Sequence, residues 1–102
     1  MRFHSLEVAL ERLEAITEYE RDERRAGRGA RFDAQLRATF QRIALAPLSF
    51  PRIPGTRSPV LRRARVLRFP YVVVYYVLRG EPIIVAISHG RKRVAYWRER
   101  LR

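Results

Sequence analysis

The chain of 102 residues contains no cysteine, which excludes disulfides and thiolate metal sites. Histidine is nearly absent too: His4 and His89 lie far apart with no ligand spacing between them, which points away from a metal centre and leaves no cofactor to expect. No apolar run approaches membrane length. The longest, YVVVYYVL at 71–78, falls well short of the ~20 residues that a bilayer-spanning helix requires. The N-terminal MRFHSLEVALERLE lacks the unbroken apolar stretch of a signal peptide, so a soluble, cytoplasmic protein is expected. Internal repeats and low-complexity segments are also lacking. Acid is scarce in one region only. Residues 35–102 hold 15 basic side chains against Glu81 and Glu99, whereas residues 1–34 set seven arginines against eight acids. Lysine is restricted to Lys92; the other 21 basic residues are arginine, a bias that a high-GC genome produces as readily as phosphate recognition does. Its distribution is more informative than its identity. A surface this one-sided attracts polyanions or an acidic protein partner.

What is present is enough for one domain spanning 1–102, since 47% of the residues are hydrophobic and can bury a core. RFH at 2–4 reads as a short strand. Ser5 then caps a helix in which Leu6, Leu10, Leu13 and Ile16, with Ala9 between, form an apolar stripe opposite Glu7, Glu11, Arg12, Glu14 and Glu18. The cluster Glu18, Glu20, Asp22 and Glu23, alternating with Arg21, Arg24 and Arg25, reads as an exposed, salt-bridged face. AGRG at 26–29 breaks this helix and reverses the chain. A second helix is predicted from about Ala30, with Phe32, Leu36, Phe40 and Ile43 on one stripe and Pro47 as its stop.

PLSFPRIPGTRSP holds four of the six prolines and is an irregular connection, near the upper length that compact domains use without a functional reason. VLRRARVLRF mixes apolar and basic residues as an outer strand with one charged face, and its slip in alternation near Val66 and Leu67 suggests a bulge or a strand that ends sooner. PYVVVYYVL is apolar on both parities, as a central strand covered on both faces requires, and Tyr75 and Tyr76 must then point to opposite sides. RGEP at 79–82 turns the chain into IIVAIS at 83–88, a second buried strand antiparallel to the first. The expected fold class is α+β, order (β)ααβββ(α), with an antiparallel sheet packed against an α-helical hairpin.

Three stretches in this order, YERDERRAGRGARFDAQLRATFQRIALAPLSFP, RFPYVVVYYV and VAISHGRKRVAYW, resemble the RelE/ParE superfamily. Its members are the toxin halves of bacterial type II toxin–antitoxin pairs, also called plasmid stabilisation proteins. The likeness covers nearly the whole chain. It implies a growth-arresting toxin held silent by a cognate acidic antitoxin in a hetero-oligomer, the antitoxin wrapping a partly disordered segment around it. RelE-like members cleave messenger RNA in the ribosomal A site with arginine, lysine and tyrosine; ParE-like members poison DNA gyrase without a known catalytic set. A member that only binds its antitoxin or nucleic acid is a third possibility.

Carried over residue by residue, the resemblance makes Arg91 or Arg93 the arginine after the last strand and Tyr96 the C-terminal tyrosine of the nuclease pattern, with His89 a further catalytic candidate. Cations there would neutralise the scissile phosphate and its transition state. The arginine expected after the aromatic that opens the central strand is missing, because Val72 follows Tyr71. Arg63, Arg65 and Arg68 on the neighbouring strand are possible substitutes. With Arg91, Lys92, Arg93 and Arg98 they form the expected surface for nucleic acid or a protein target. The long helical hairpin, FPY and His89 incline the resemblance to the ParE side. Each candidate has a plainer reading. His89 can be a hydrogen-bonded strand end, Trp97 a lid on the core, and Tyr96 either packing or function.

Overall fold

The computed structural model describes residues 2–91 and 94–101. Two strands, β3 (Tyr71–Leu78) and β4 (Glu81–His89), form the centre of the sheet. Their β-branched and aromatic residues suit a surface buried on both sides. They join through Arg79 and Gly80, at φ 52° and 81°, and a pair of positive φ values is what a tight primed hairpin turn demands. β2 (Arg62–Arg65) pairs antiparallel with β3, and β1 (Arg2–Phe3) pairs parallel with β4, giving a mixed sheet of order β1-β4-β3-β2. The register shifts once. Val74 lies opposite Ala86 and Tyr75 opposite Ile84, so Val85 is an extra residue in β4. The bulge therefore sits in β4, and the slip at Val66 and Leu67 marks the earlier strand end: β2 stops at Arg65 and the chain enters a turn closed by Val66 N–H on the Tyr71 carbonyl.

Two helices, α1 (Leu6–Glu20) and α2 (Arg28–Leu45), cover one face of the sheet. Their core joins Val8, Phe32, Leu36 and Ile43 to Val73, Tyr75, Ile84 and Ile87. The opposite face is closed by the proline-rich connection and a short α3 (Val94–Arg100), which bring Ile53, Leu61 and Trp97 onto Val72, Val74 and Val85. Trp97 is buried there and donates its indole N–H to Ser88 Oγ at 3.3 Å. Tyr75 and Tyr76 do face opposite sides: Tyr75 is buried beneath the helices and Tyr76 packs on the other cluster. The α+β class and the element order agree with the sequence reading.

The orientation of α1 does not. Leu6, Leu10 and Leu13 are 75%, 47% and 59% exposed, while Val8 and Ala15 face the core. Both sets recur at helical spacing, so periodicity alone could not choose between them. The close approach of the helices decides it: a side chain at Gly29 would lie 2.3 Å from Glu20 Cγ and 2.8 Å from the Ile16 carbonyl, and α2 fills the remaining space with Phe32. The helix also ends earlier than expected, at Glu20. Replacing Leu10 by Ala is therefore expected to change stability by no more than about 0.5 kcal/mol. Phe32→Ala should cost about 3–5 kcal/mol. Urea midpoints of the two variants check the contrast, and a Leu10→Ala destabilisation as large as that of Phe32→Ala would refute this orientation.

Candidate target-binding site

In β2, Arg63 and Arg65 flank the buried Ala64, so strand alternation sends both to the side of their partners Val74 and Val72, away from the helices. At the same end of the sheet, two strands over from β2, β4 stops at His89. Gly90 then donates its N–H to the Pro70 carbonyl at 2.9 Å, and Arg91 donates its backbone N–H to His89 Nδ1 at 3.3 Å. These steps bring Arg63, Arg65, His89 and Arg91 around one open cleft of about 540 Å³, with Val72 and Tyr71 on its floor. All three arginines are exposed, and none has an ion pair among the described residues.

The Tyr71 and His89 rings meet at a centroid distance of 5.8 Å and form a ridge. Beyond it lies a second cleft, of about 320 Å³, lined by Glu11, Glu14, Glu18 and Tyr96. Burial, and then the charges of Glu18, Glu11 and Glu14, push the Tyr71 phenol above its ordinary pKa. A basic cleft and an acidic one thus stand back to back at one end of the sheet.

Tyr96 belongs to the acidic side. Its hydroxyl donates to Glu11 Oε2 at 2.9 Å and accepts from Arg100 Nη2 at 2.5 Å, while the Arg100 guanidinium lies 4.8 Å from its ring centroid. Glu11 also accepts two bonds from Arg100, at 2.8 and 2.7 Å, and the Ile87 N–H at 3.0 Å. Burial and then the bond to Glu11 raise the Tyr96 pKa. A phenol held protonated in this way is a poor base. Tyr96 and Arg91, one of the two arginines that fit the nuclease pattern, therefore face different clefts. Val72 is buried in the cluster with Trp97, so the position after Tyr71 contributes no charge to the basic face.

The remaining candidates scatter. Arg68 does not share the face of Arg63 and Arg65; it lines a third cleft, beside α2. Arg98 lies near the proline-rich connection and donates to the Gly55 carbonyl. Lys92 and Arg93 lie outside the described residues. Glu11 and Arg100, which organise this end of the molecule, carried no signal in the sequence beyond ordinary helix charges, because their partners are 76 to 89 positions away.

Elsewhere in the core, Tyr75 donates to the Pro47 carbonyl at 2.6 Å, and burial pushes its pKa up to about 12. A raised folded pKa favours the protonated phenol. Its contribution to stability is therefore complete below the unfolded value of about 10 and is lost as pH rises from there toward about 12. An alkaline titration followed by phenolate absorbance should show Tyr75 ionising together with unfolding; its ionisation near pH 10 in folded protein would contradict this.

A helical hairpin on one face of a four-stranded mixed sheet, with the strand order and C-terminal helix seen here, defines a RelE/ParE-like fold. The family model for the ParE toxin of type II toxin-antitoxin system, parDE, matches residues 6–94, and the chain belongs to that family. No curated protein matches it. The protein is accordingly the toxin of a type II toxin–antitoxin system, which implies an antitoxin partner. Among the described residues, no helix is long and apolar enough to cross a membrane.

Proposed function

We propose that this toxin arrests growth in the cytoplasm by docking its basic face on DNA gyrase and poisoning it, without catalysis of its own. The observation that supports this reading is the diversion of Tyr96, whose hydroxyl is bound to Glu11 and Arg100 on the far side of the ridge from Arg63, Arg65 and Arg91. Membership of the ParE toxin family supports the same side of the superfamily. The arginines supply long-range attraction and guanidinium donors to an acidic or phosphate-bearing partner. The antitoxin, an acidic segment, would silence the toxin by neutralising the same face in a hetero-oligomer.

A ribosome-dependent nuclease is the second reading, favoured by the convergence of Arg63, Arg65, Arg91 and His89 on one cleft. One experiment separates the two. Gyrase supercoiling and cleavage-complex assays should show inhibition by the purified toxin, and messages on translating ribosomes should stay intact by primer extension. Tyr96→Phe should keep its growth-arresting activity, because it removes only the hydroxyl's bonds to Glu11 and Arg100. Cuts within A-site codons that disappear in Tyr96→Phe or Arg91→Ala, with gyrase unaffected, would reverse the assignment.

A further inference from the structure

Two turns distant in sequence meet beside the ridge. The segment between α1 and α2 and the first turn of α2 carry Arg25, Arg28 and Arg31, and the turn between β2 and β3 carries Arg68, at φ 69°. Together they surround a cavity of about 380 Å³ whose remaining lining is Ala34, Gln35 and the largely covered Phe69. One carboxylate answers four guanidinium groups. Arg28 Nη1 lies 3.3 Å from Asp22 Oδ2, and its guanidinium is seated 4.8 Å from the Tyr19 ring centroid, whereas Arg25, Arg31 and Arg68 have no ion pair among the described residues. Like charges gathered this closely repel one another until an anion enters between them.

The geometry points to a binding site for the phosphodiester backbone of a nucleic acid, running from this cavity past Phe69 into the cleft of Arg63, Arg65 and Arg91. Phe69 walls both cavities, so the two sets of arginines are neighbours. A nucleic acid strand offers phosphates in a row, one per ~3.4 Å of helix axis, and can occupy both at once. An acidic peptide must fix several flexible side chains to present its carboxylates in such a row, whereas a nucleic acid backbone carries its phosphates already spaced. Beside the cavity the exposed apolar surface is Leu67, next to Arg68 in the β2–β3 turn, while three further exposed leucines, Leu6, Leu10 and Leu13, follow one another along α1. The inference stands whatever the toxin's target is, because it concerns binding between this chain and nucleic acid alone.

Fluorescence anisotropy of a labelled duplex of about 20 bp, titrated with the purified chain between about 50 and 200 mM salt, tests it. The double variant Arg25→Gln/Arg68→Gln removes two exposed charges whose side chains hold no structural partner among the described residues. It should weaken binding and lower the slope of log K against log salt by about 2, since each phosphate no longer neutralised takes away about 0.9. Asp22→Asn should act in the opposite direction, strengthening binding by freeing Arg28, a gain that a folding defect cannot imitate. Binding of duplex that is unchanged in both variants would overturn the proposal. So would a poly-glutamate peptide that binds more tightly than duplex DNA or RNA and alone responds to the substitutions.

Discussion

Replacing Glu11 by Ala should destabilise the protein by up to about 3 kcal/mol and loosen α3 on the sheet, because it removes the carboxylate bound by both Arg100 Nη atoms and leaves that buried guanidinium only the exposed Glu7, 3.4 Å from its Nε. The two side chains are 14% and 9% exposed and share two hydrogen bonds, so neither charge is compensated by water once the other is gone. The same carboxylate also caps the Ile87 N–H, which lies beyond Ile83 and Ile84, the two β4 residues that β1 pairs. Trp97 reports the outcome, since α3 buries it against the sheet and its emission should shift to the red when the helix undocks. Glu11→Gln, which keeps an acceptor for Ile87, should cost less. A Glu11→Ala variant with unchanged urea midpoint and unchanged Trp97 emission would show that the latch contributes nothing.

The triple variant Arg63→Ala/Arg65→Ala/Arg91→Ala should abolish growth arrest while leaving the fold intact. These side chains are exposed and without ion pairs among the described residues, so each substitution is expected to alter stability by no more than about 0.5 kcal/mol. Association is where the effect should appear. Removing three convergent charges from one cleft cuts electrostatic steering, an effect of ~10- to 1,000-fold on the rate at which a charged partner binds, and flattens its salt dependence. Viability after induction, together with the salt dependence of antitoxin binding, checks both halves. Full toxicity in the triple variant would remove this cleft from any account of the target.

Much of this was legible along the chain. β3 and β4 announce themselves because a strand buried on both faces must be apolar at nearly every position, and Arg79–Gly80 fits the two-residue turn that antiparallel pairs favour. α2 was readable from Phe32, Leu36 and Ile43, which bury one stripe against one sheet. The candidate residues Arg63, Arg65, His89 and Arg91 could be named from charge and position, and the structure brings these four together. Arg68 could not be placed, since a left-handed residue in the turn after β2 aims it at α2 instead.

By itself, then, the sequence determined the element order, the α+β class and the concentration of positive charge beyond residue 34, because these depend on local pattern and composition. Tertiary structure alone decided three further things: which stripe of α1 faces inward, the diversion of Tyr96 to Glu11 and Arg100, and the separation of a basic from an acidic cleft at the Tyr71–His89 ridge. Each depends on segments far apart in the chain coming together, where steric fit at Gly29 and the cost of burying an unpaired charge outweigh any local preference.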